Sequence, residues 1–386
     1  MAFLRATALA VALLLATMPA VPQVIGTTAN DSCAPALAEC LSTLTTGGSC
    51  EPLLPVPRAE LPAPIRPVGY NLTALRPGVH AYLDGGYTAL FVSSSNKRRV
   101  VVVDLPDSPG SNLPDGTGTR LTAALEEVLG GVTPWRVDLI YSHAHLDHIG
   151  AAARFRAYLR RQFPRASVRI WGTAEAVNLV RRSTSGRAVT PTHIVRRSGA
   201  VVHVERGLRL NLDIVGGHTR EDLAIHVPPS RGHPGVLHYV DVIFPGWAPP
   251  FTLAITADVG RFRDVHGDLL KLDWKVFSGG HLSRLGDRGD VEASHRYTVD
   301  LIDAAAAAVA SVDGPALLAG GLGRVFDPAA REFGNAWFSF AGVQRKLERD
   351  RCTATMLAKW GCRLAGVDLM IRDNCFSAIS YLLIDV

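Results

Sequence analysis

A chain of 386 residues, 47% hydrophobic and with a formal charge of +5, is long enough for one large domain or two. Its 36 glycines and 24 prolines follow no fixed period, which excludes collagen-like and repeat architectures. The arginines crowded between Arg154 and Arg209 carry no aromatic stacking pattern, so nucleic-acid binding is not expected.

That basic stretch reads either as a solvated face or as a surface that attracts an anionic substrate or partner. At the start, residues 1–29 read as an export signal. Arg5 supplies the positive start, "ALAVALLLA" (Ala8 to Ala16) the apolar core, and small residues near Ala20 or Ala29 could end it. This run is too short for a bilayer span of about 20 residues, and no other stretch is long and charge-free enough. A secreted, periplasmic or extracellular location is therefore expected. Cys33, Cys40 and Cys50 then form one cluster, and Cys352, Cys362 and Cys375 another near the end. Each cluster is odd in number, so complete pairing within the chain needs at least one bridge between the two ends. A thiolate zinc site is disfavoured because C-x-x-C spacing is missing.

Residues 30–77 read as an irregular Cys- and Pro-rich extension. "VHAYLDG", "YTALFVSS" and "RRVVVVDLP" follow as three strands, rich in β-branched and aromatic residues and separated by turn signals. "TRLTAALEEVLGG" has helical spacing and closes on Gly130 and Gly131. "RVDLIYSH" is a short buried strand, "IGAAARFRAYLRRQF" a helix and "SVRIWGT" another strand. Strand patterning returns in "VVHVERGLRLNLDIVGG", "LAIHVPP" and "GVLHYVDVIFPG", and "ASHRYTVDLIDAAAAAVASV" is a late helix. The alternation argues for a layered α/β fold. No linker divides it, so one catalytic domain over 78–311 is expected, with a helical, Cys-containing extension over 312–386.

The stretch "YSHAHLDHIG" (Tyr141 to Gly150) places His143, His145, Asp147 and His148 at the end of a predicted buried strand. A loop there fans side chains out at the carboxyl edge of a sheet, where sites gather in α/β folds. Imidazoles and a carboxylate together suit zinc and other borderline first-row ions. Such ions need more ligands, which should lie at later strand ends. His218 in "VGGHTREDL", Asp241 inside the strand "LHYVDVIFPGW" and His281 in "WKVFSGGHLSRLG" answer that demand. Glycines beside them let the backbone turn sharply and approach closely.

"HAHLDH", followed in order by "GGHT", "YVDVIFPGW" and "SGGHL", resembles the metallo-β-lactamase superfamily over about His80 to His281. The resemblance implies a four-layer αβ/βα sandwich, here with disulfide-linked terminal extensions. It implies that His143, His145 and His218 hold one metal, that Asp147, His148 and His281 hold a second, and that Asp241 bridges both. Two zinc ions are implied, with other first-row divalent metals as alternatives. The implied activity is hydrolysis of a small ester, lactone or related acyl substrate by a metal-bridging hydroxide, which Asp147 would orient.

A bridging aspartate at 241 looks more like the glyoxalase II, lactonase and phosphodiesterase branches than like many zinc β-lactamases, and His145 disfavours a flavodiiron protein. β-Lactam hydrolysis, single-iron sulfur dioxygenation and a non-catalytic secreted binding protein stay open as alternatives. Asp104 reads as an outer partner of a ligating histidine or as a strand-end turn residue. Tyr87 and Trp247 are candidates for the cleft wall or for packing. Arg284 and Arg288 read as surface arginines or as groups that meet an anionic substrate, and His226 and His238 as structural or exposed histidines on strands near the site.

Overall fold

The computed structural model describes residues 29–45, 54–57, 60–108, 112, 119–282, 284–322 and 336–385. The expected export signal thus lies outside the described residues, Ala29 apart. Two sheets carry the fold. The first contains β1 (Asn71–Arg76), β2 (Val79–Leu83), β3 (Thr88–Ser93), β4 (Arg99–Val103), β5 (Arg136–Ile140), β6 (Ser167–Thr173) and β7 (His193–Val195), side by side in that order. Its first four strands are antiparallel neighbours and its last four parallel ones. The second contains β8 (Ala200–Glu205), β9 (Leu208–Ile214), β10 (Leu223–Val227), β11 (Val236–His238) and β12 (Val276–Ser278), ordered β12-β11-β10-β9-β8. Only β11 and β12 run parallel there.

The run of valines in β4 shows why the sheets stack. Val101 and Val103 point into an apolar layer shared with Ile225 of β10 and Leu210 and Leu212 of β9. Val100 and Val102 point the other way, onto a helical layer. A strand buried on both faces carries no polar alternation, hence the continuous apolar sequence. That helical layer is α2 (Arg120–Leu129), α4 (Ala152–Gln162) and α5 (Ala174–Arg182), with the single turn α3 (Leu146–Ile149) before α4. Leu121, Ala124, Leu125 and Val128 give α2 one apolar stripe. Thr119 caps its first turn, and Gly130, in the left-handed conformation, closes its end.

The outer face of the second sheet is covered by α6 (Val259–Leu270), α7 (Arg288–Ser311), α9 (Ala336–Trp360) and α10 (Val367–Ser380). The short α8 (Gly314–Leu317) follows α7. Helix, sheet, sheet, helix is the four-layer αβ/βα sandwich expected from the sequence. Among the described residues no single helix is long and apolar enough to cross a membrane.

The lead-in to Pro77 departs from the irregular reading. Ala29–Thr45 forms a helix, α1, and Asn71–Arg76 pairs with β2 across a turn at Gly78, where φ is +75°. Cys33 in α1 is bonded to Cys362, and Cys352 in α9 to Cys375 in α10. The bridge between the two ends demanded by parity is therefore present. The arginines after His281 are not free surface charges. Arg284 pairs with Glu60 and Asp290, and Arg288 donates to the carbonyls of Leu270 and Leu272 while stacking over Trp274.

His266 sits fully buried in α6, with Nε2 2.9 Å from Ser294 Oγ. Burial lowers its pKa from 6.5 to about 4, with stacked His295 adding to the effect. An unfolded chain binds this proton more readily, so the stability His266 supports is full above pH 6.5 and is lost as pH falls toward 4. The loss at low pH should be about 3 kcal/mol. Urea midpoints of wild type and His266→Gln at pH 7.5 and 4.5 check this: the variant should lose the excess acid sensitivity.

Candidate metal centre

The carboxyl ends of β4, β5, β11 and β12 share one edge of the sandwich, and the candidate donors gather there. His143 follows β5, and His145 precedes α3, whose first turn carries Asp147 and His148. His218 lies between β9 and β10, Asp241 past β11 and His281 past β12. The two sheets are stitched at this edge: Thr88 N–H donates to the Gly280 carbonyl at 2.8 Å and Leu223 N–H to that of Ser142 at 2.9 Å. Asp241 is not inside a strand as the sequence suggests. β11 ends at His238, and Asp241 has φ +64°, a left-handed conformation that no ladder accommodates. The glycines act by close approach. At Gly280, φ is +85° and a β-carbon would stand 2.3 Å from Val240 Cγ1; at Gly217, φ is +135° and one would stand 2.3 Å from Tyr239 Oη.

Two groups of donors result. His143, His145, His218 and Asp241 form one, and Asp147, His148, His281 and Asp241 the other; within each, the donor atoms lie within 4.8 Å of one another. In the first, His218 Nε2 is 2.9 Å from His145 Nδ1, and Asp241 Oδ2 is 3.5 Å from both His143 Nε2 and His218 Nε2. In the second, His148 Nε2 is 3.1 Å from both His281 Nε2 and Asp241 Oδ2, and Asp147 Oδ2 is 3.3 Å from His148 Nε2. Asp241 Oδ1 faces His281 Nε2 at 3.1 Å.

These residues fit metal ions. Two nitrogens each about 2 Å from one tetrahedral cation stand roughly 3.3 Å apart, close to the spacings above. His143 Nε2 is buried without a hydrogen-bond partner, a state that costs about 1–3 kcal/mol unless something else satisfies it. A cation would satisfy it. Burial would raise the Asp241 carboxyl, but His148 and His281 overcome this and hold it well below the usual range. Burial pushes His143 well down, toward the neutral imidazole that a metal requires, while Asp241 and Asp147 hold His148 and His281 above the usual range, so a cation binding there would displace protons from them.

The supporting groups come from elsewhere in the chain. Ser142 Oγ lies 3.0 Å from His143 Nδ1, which turns Nε2 toward the centre. Asp104 is fully buried with φ +61°; it accepts Ser142 N–H at 2.8 Å, meets His238 Nε2 at 3.3 Å and lies 4.0 Å from His148 Nδ1. It is both a turn residue and a neighbour of a candidate ligand. His238, expected from the sequence on a strand near the site, joins Asp104 to Ser278, whose Oγ is 3.0 Å from its Nδ1. Asp222 has no motif to announce it, yet it accepts the N–H groups of His218 and Thr219 at 2.7 and 2.8 Å and fixes that loop. Asparagine tolerates the left-handed backbone of position 104. Asp104→Asn thus removes charge without strain, and it should weaken metal affinity about tenfold in a chelator competition assay.

A cavity of about 1000 Å³ opens over the centre. Its floor includes His145, Asp147, His218, Asp241 and His281, and its walls include Leu179, Val180, Phe244, Trp247, Phe251, Ile255 and Met370. Tyr87 also lines it, its ring centroid 4.6 Å from that of His281. Burial and the nearby Asp147 and Asp241 raise the Tyr87 pKa, so its phenol stays protonated at neutral pH. Among the described lining residues there is no lysine or arginine.

Sandwich and donors together define an αβ/βα architecture with two candidate metal sites at one edge. Among solved structures, the chain is similar to a metallo-β-lactamase from Erythrobacter litoralis at 18% identity, with 61% of this chain and 99% of that one covered and a TM-score of 0.45. It is similar to a Cronobacter sakazakii metallo-β-lactamase with a HARLDQ motif at 14% identity, covering 63% and 94%, with a TM-score of 0.42. ETHE1 from Myxococcus xanthus gives 14% identity, 59% and 84% coverage and a TM-score of 0.39. No family model and no curated protein matches the chain.

Proposed function

We propose that the chain is an exported metal-dependent hydrolase acting on a small acyl substrate, an ester or lactone, with an apolar body. The observation that carries this is the convergence of His143, His145, Asp147, His148, His218, Asp241 and His281, of which His145, Asp147, His218, Asp241 and His281 line an apolar cavity. His143, His145 and His218 would hold one ion, Asp147, His148 and His281 a second, and Asp241 both. Zinc, or another first-row divalent metal, would supply a nucleophilic water at neutral pH and Lewis-acid pull on the acyl oxygen.

The chain's own residues supply the rest. The Asp147 side chain is 41% exposed and lines the cavity, so its carboxylate can accept a hydrogen bond that orients water. Tyr87, protonated and beside His281, can donate a hydrogen bond to charge developing on the substrate. Apolar walls keep bulk water away and favour a substrate with an apolar body. Arg154 and Arg187, from the basic stretch, pair with Asp107. The disulfides support export, since such bonds persist in oxidising compartments.

The test is metal quantification joined to a panel of lactones, aryl esters, thioesters, phosphodiesters and nitrocefin. The expected result is chelator-sensitive turnover of lactones or esters by a zinc-loaded protein. One iron per chain, or natively purified protein without metal, would overturn it, and rapid nitrocefin cleavage would move the substrate to β-lactams.

A further inference from the structure

The stretch "PPFTLAIT" (Pro249 to Thr256) has a backbone no sequence pattern announces. Phe251, Leu253, Ala254 and Ile255 all have φ between +52° and +55°. Left-handed backbone is disfavoured for every residue with a β-carbon and most for a β-branched one such as Ile255. A stretch like this persists only where its surroundings over-determine it, and such strain gathers at ligand-binding segments.

The surroundings here are specific. Asn374 of α10, fully buried, accepts the Leu253 N–H at 2.8 Å and donates to the Pro249 carbonyl and the Tyr297 hydroxyl, each at 3.0 Å. Thr256 Oγ1 donates to the Gly217 carbonyl at 2.6 Å, next to His218. Leu253 is fully buried beneath the turn as its anchor. Phe251 and Ile255 are thrown outward, 63% and 60% exposed, and both line the cavity over the metal centre. Met370, also from α10, lines the same cavity. A right-handed backbone would redirect both side chains.

We propose that the turn Phe251–Ile255, with Met370, forms a subsite for an apolar arm of the substrate, and that Asn374 is a positioning residue that sets its shape. The ligand class is an acyl group carrying an aliphatic or aryl arm. The hydrolase reading supplies what the arm is attached to, while the subsite stands on the cavity wall itself. Each methylene buried there raises affinity about three- to fourfold.

Two readouts test this on the zinc-loaded full chain. The first is kcat/KM for p-nitrophenyl esters from acetyl to decanoyl. The second is binding of decanoate, followed by the fluorescence of Trp247 in the cavity wall. Wild type should favour the decanoyl over the acetyl ester. Phe251→Ala/Ile255→Ala should lower that ratio at least tenfold, mainly through KM, and weaken decanoate binding to match. Asn374→Ala should do the same, though Asn374 touches no ligand. Both side chains of the double variant are exposed, so it keeps the test valid if Asn374→Ala fails to fold. Unchanged decanoate binding in the double variant overturns the subsite, whatever the turnover. Loss of decanoate binding in that variant, with no ester turned over by wild type, supports the subsite and rejects the ester substrate instead.

Discussion

Asp241→Asn is expected to strip the protein of metal and of hydrolytic activity together while leaving it folded. Asp241 is the one residue shared by both donor groups, and its two oxygens face His148 and His281. Altering an outer partner of a metal ligand costs about 10–100-fold in affinity or activity, so loss of a shared ligand should exceed that range. An amide keeps the volume but neither the charge nor the second acceptor. Metal content and turnover measured on one preparation, with circular dichroism to verify folding, decide the matter. A variant that kept its metal and its rate would show that the donors meet without serving one centre.

Opening the Cys33–Cys362 bond is expected to have the largest effect on stability. The bond joins α1 to the turn after α9 across 329 residues, and Cys33 packs there as a buried side chain. Closing a long loop restricts the unfolded chain, and losing a native bridge of this kind costs about 2–5 kcal/mol. Cys33→Ser/Cys362→Ser should lower the urea midpoint accordingly, while chelator competition still finds the metal affinity of wild type. Cys352–Cys375, across only 23 residues, should contribute less by the same argument. Equal midpoints for wild type and the double serine variant would sink this prediction.

The strands and the donor set were legible for a common reason: each leaves a short, local trace. β4 announces itself as four valines, and "HAHLDH" places four donors within six residues. His218 and His281 could be found because apolar strands and paired glycines precede them. Asp241 was found, but its backbone was read as strand because "YVDVIF" alternates like one; the left-handed φ belongs to tertiary packing. Asp222, Ser142 and His238 act on neighbours through hydrogen bonds, and nothing in their local sequence marks that. The amphipathic "AEAVNLVRR" of α5 went unread, although Thr173 caps it by accepting the Ala176 N–H. The turn at Phe251–Ile255 was illegible because its conformation is imposed from α10, more than a hundred residues later.

The donor groups draw on both sheets. His143, His145, Asp147 and His148 leave the first, and His218, Asp241 and His281 the second. Neither half of the molecule could therefore build the centre alone. Any cation seated there rivets one half to the other, so its coordination free energy is also free energy of assembly. Ion supply would then govern how long the two halves stay together, apart from whatever chemistry the ion performs.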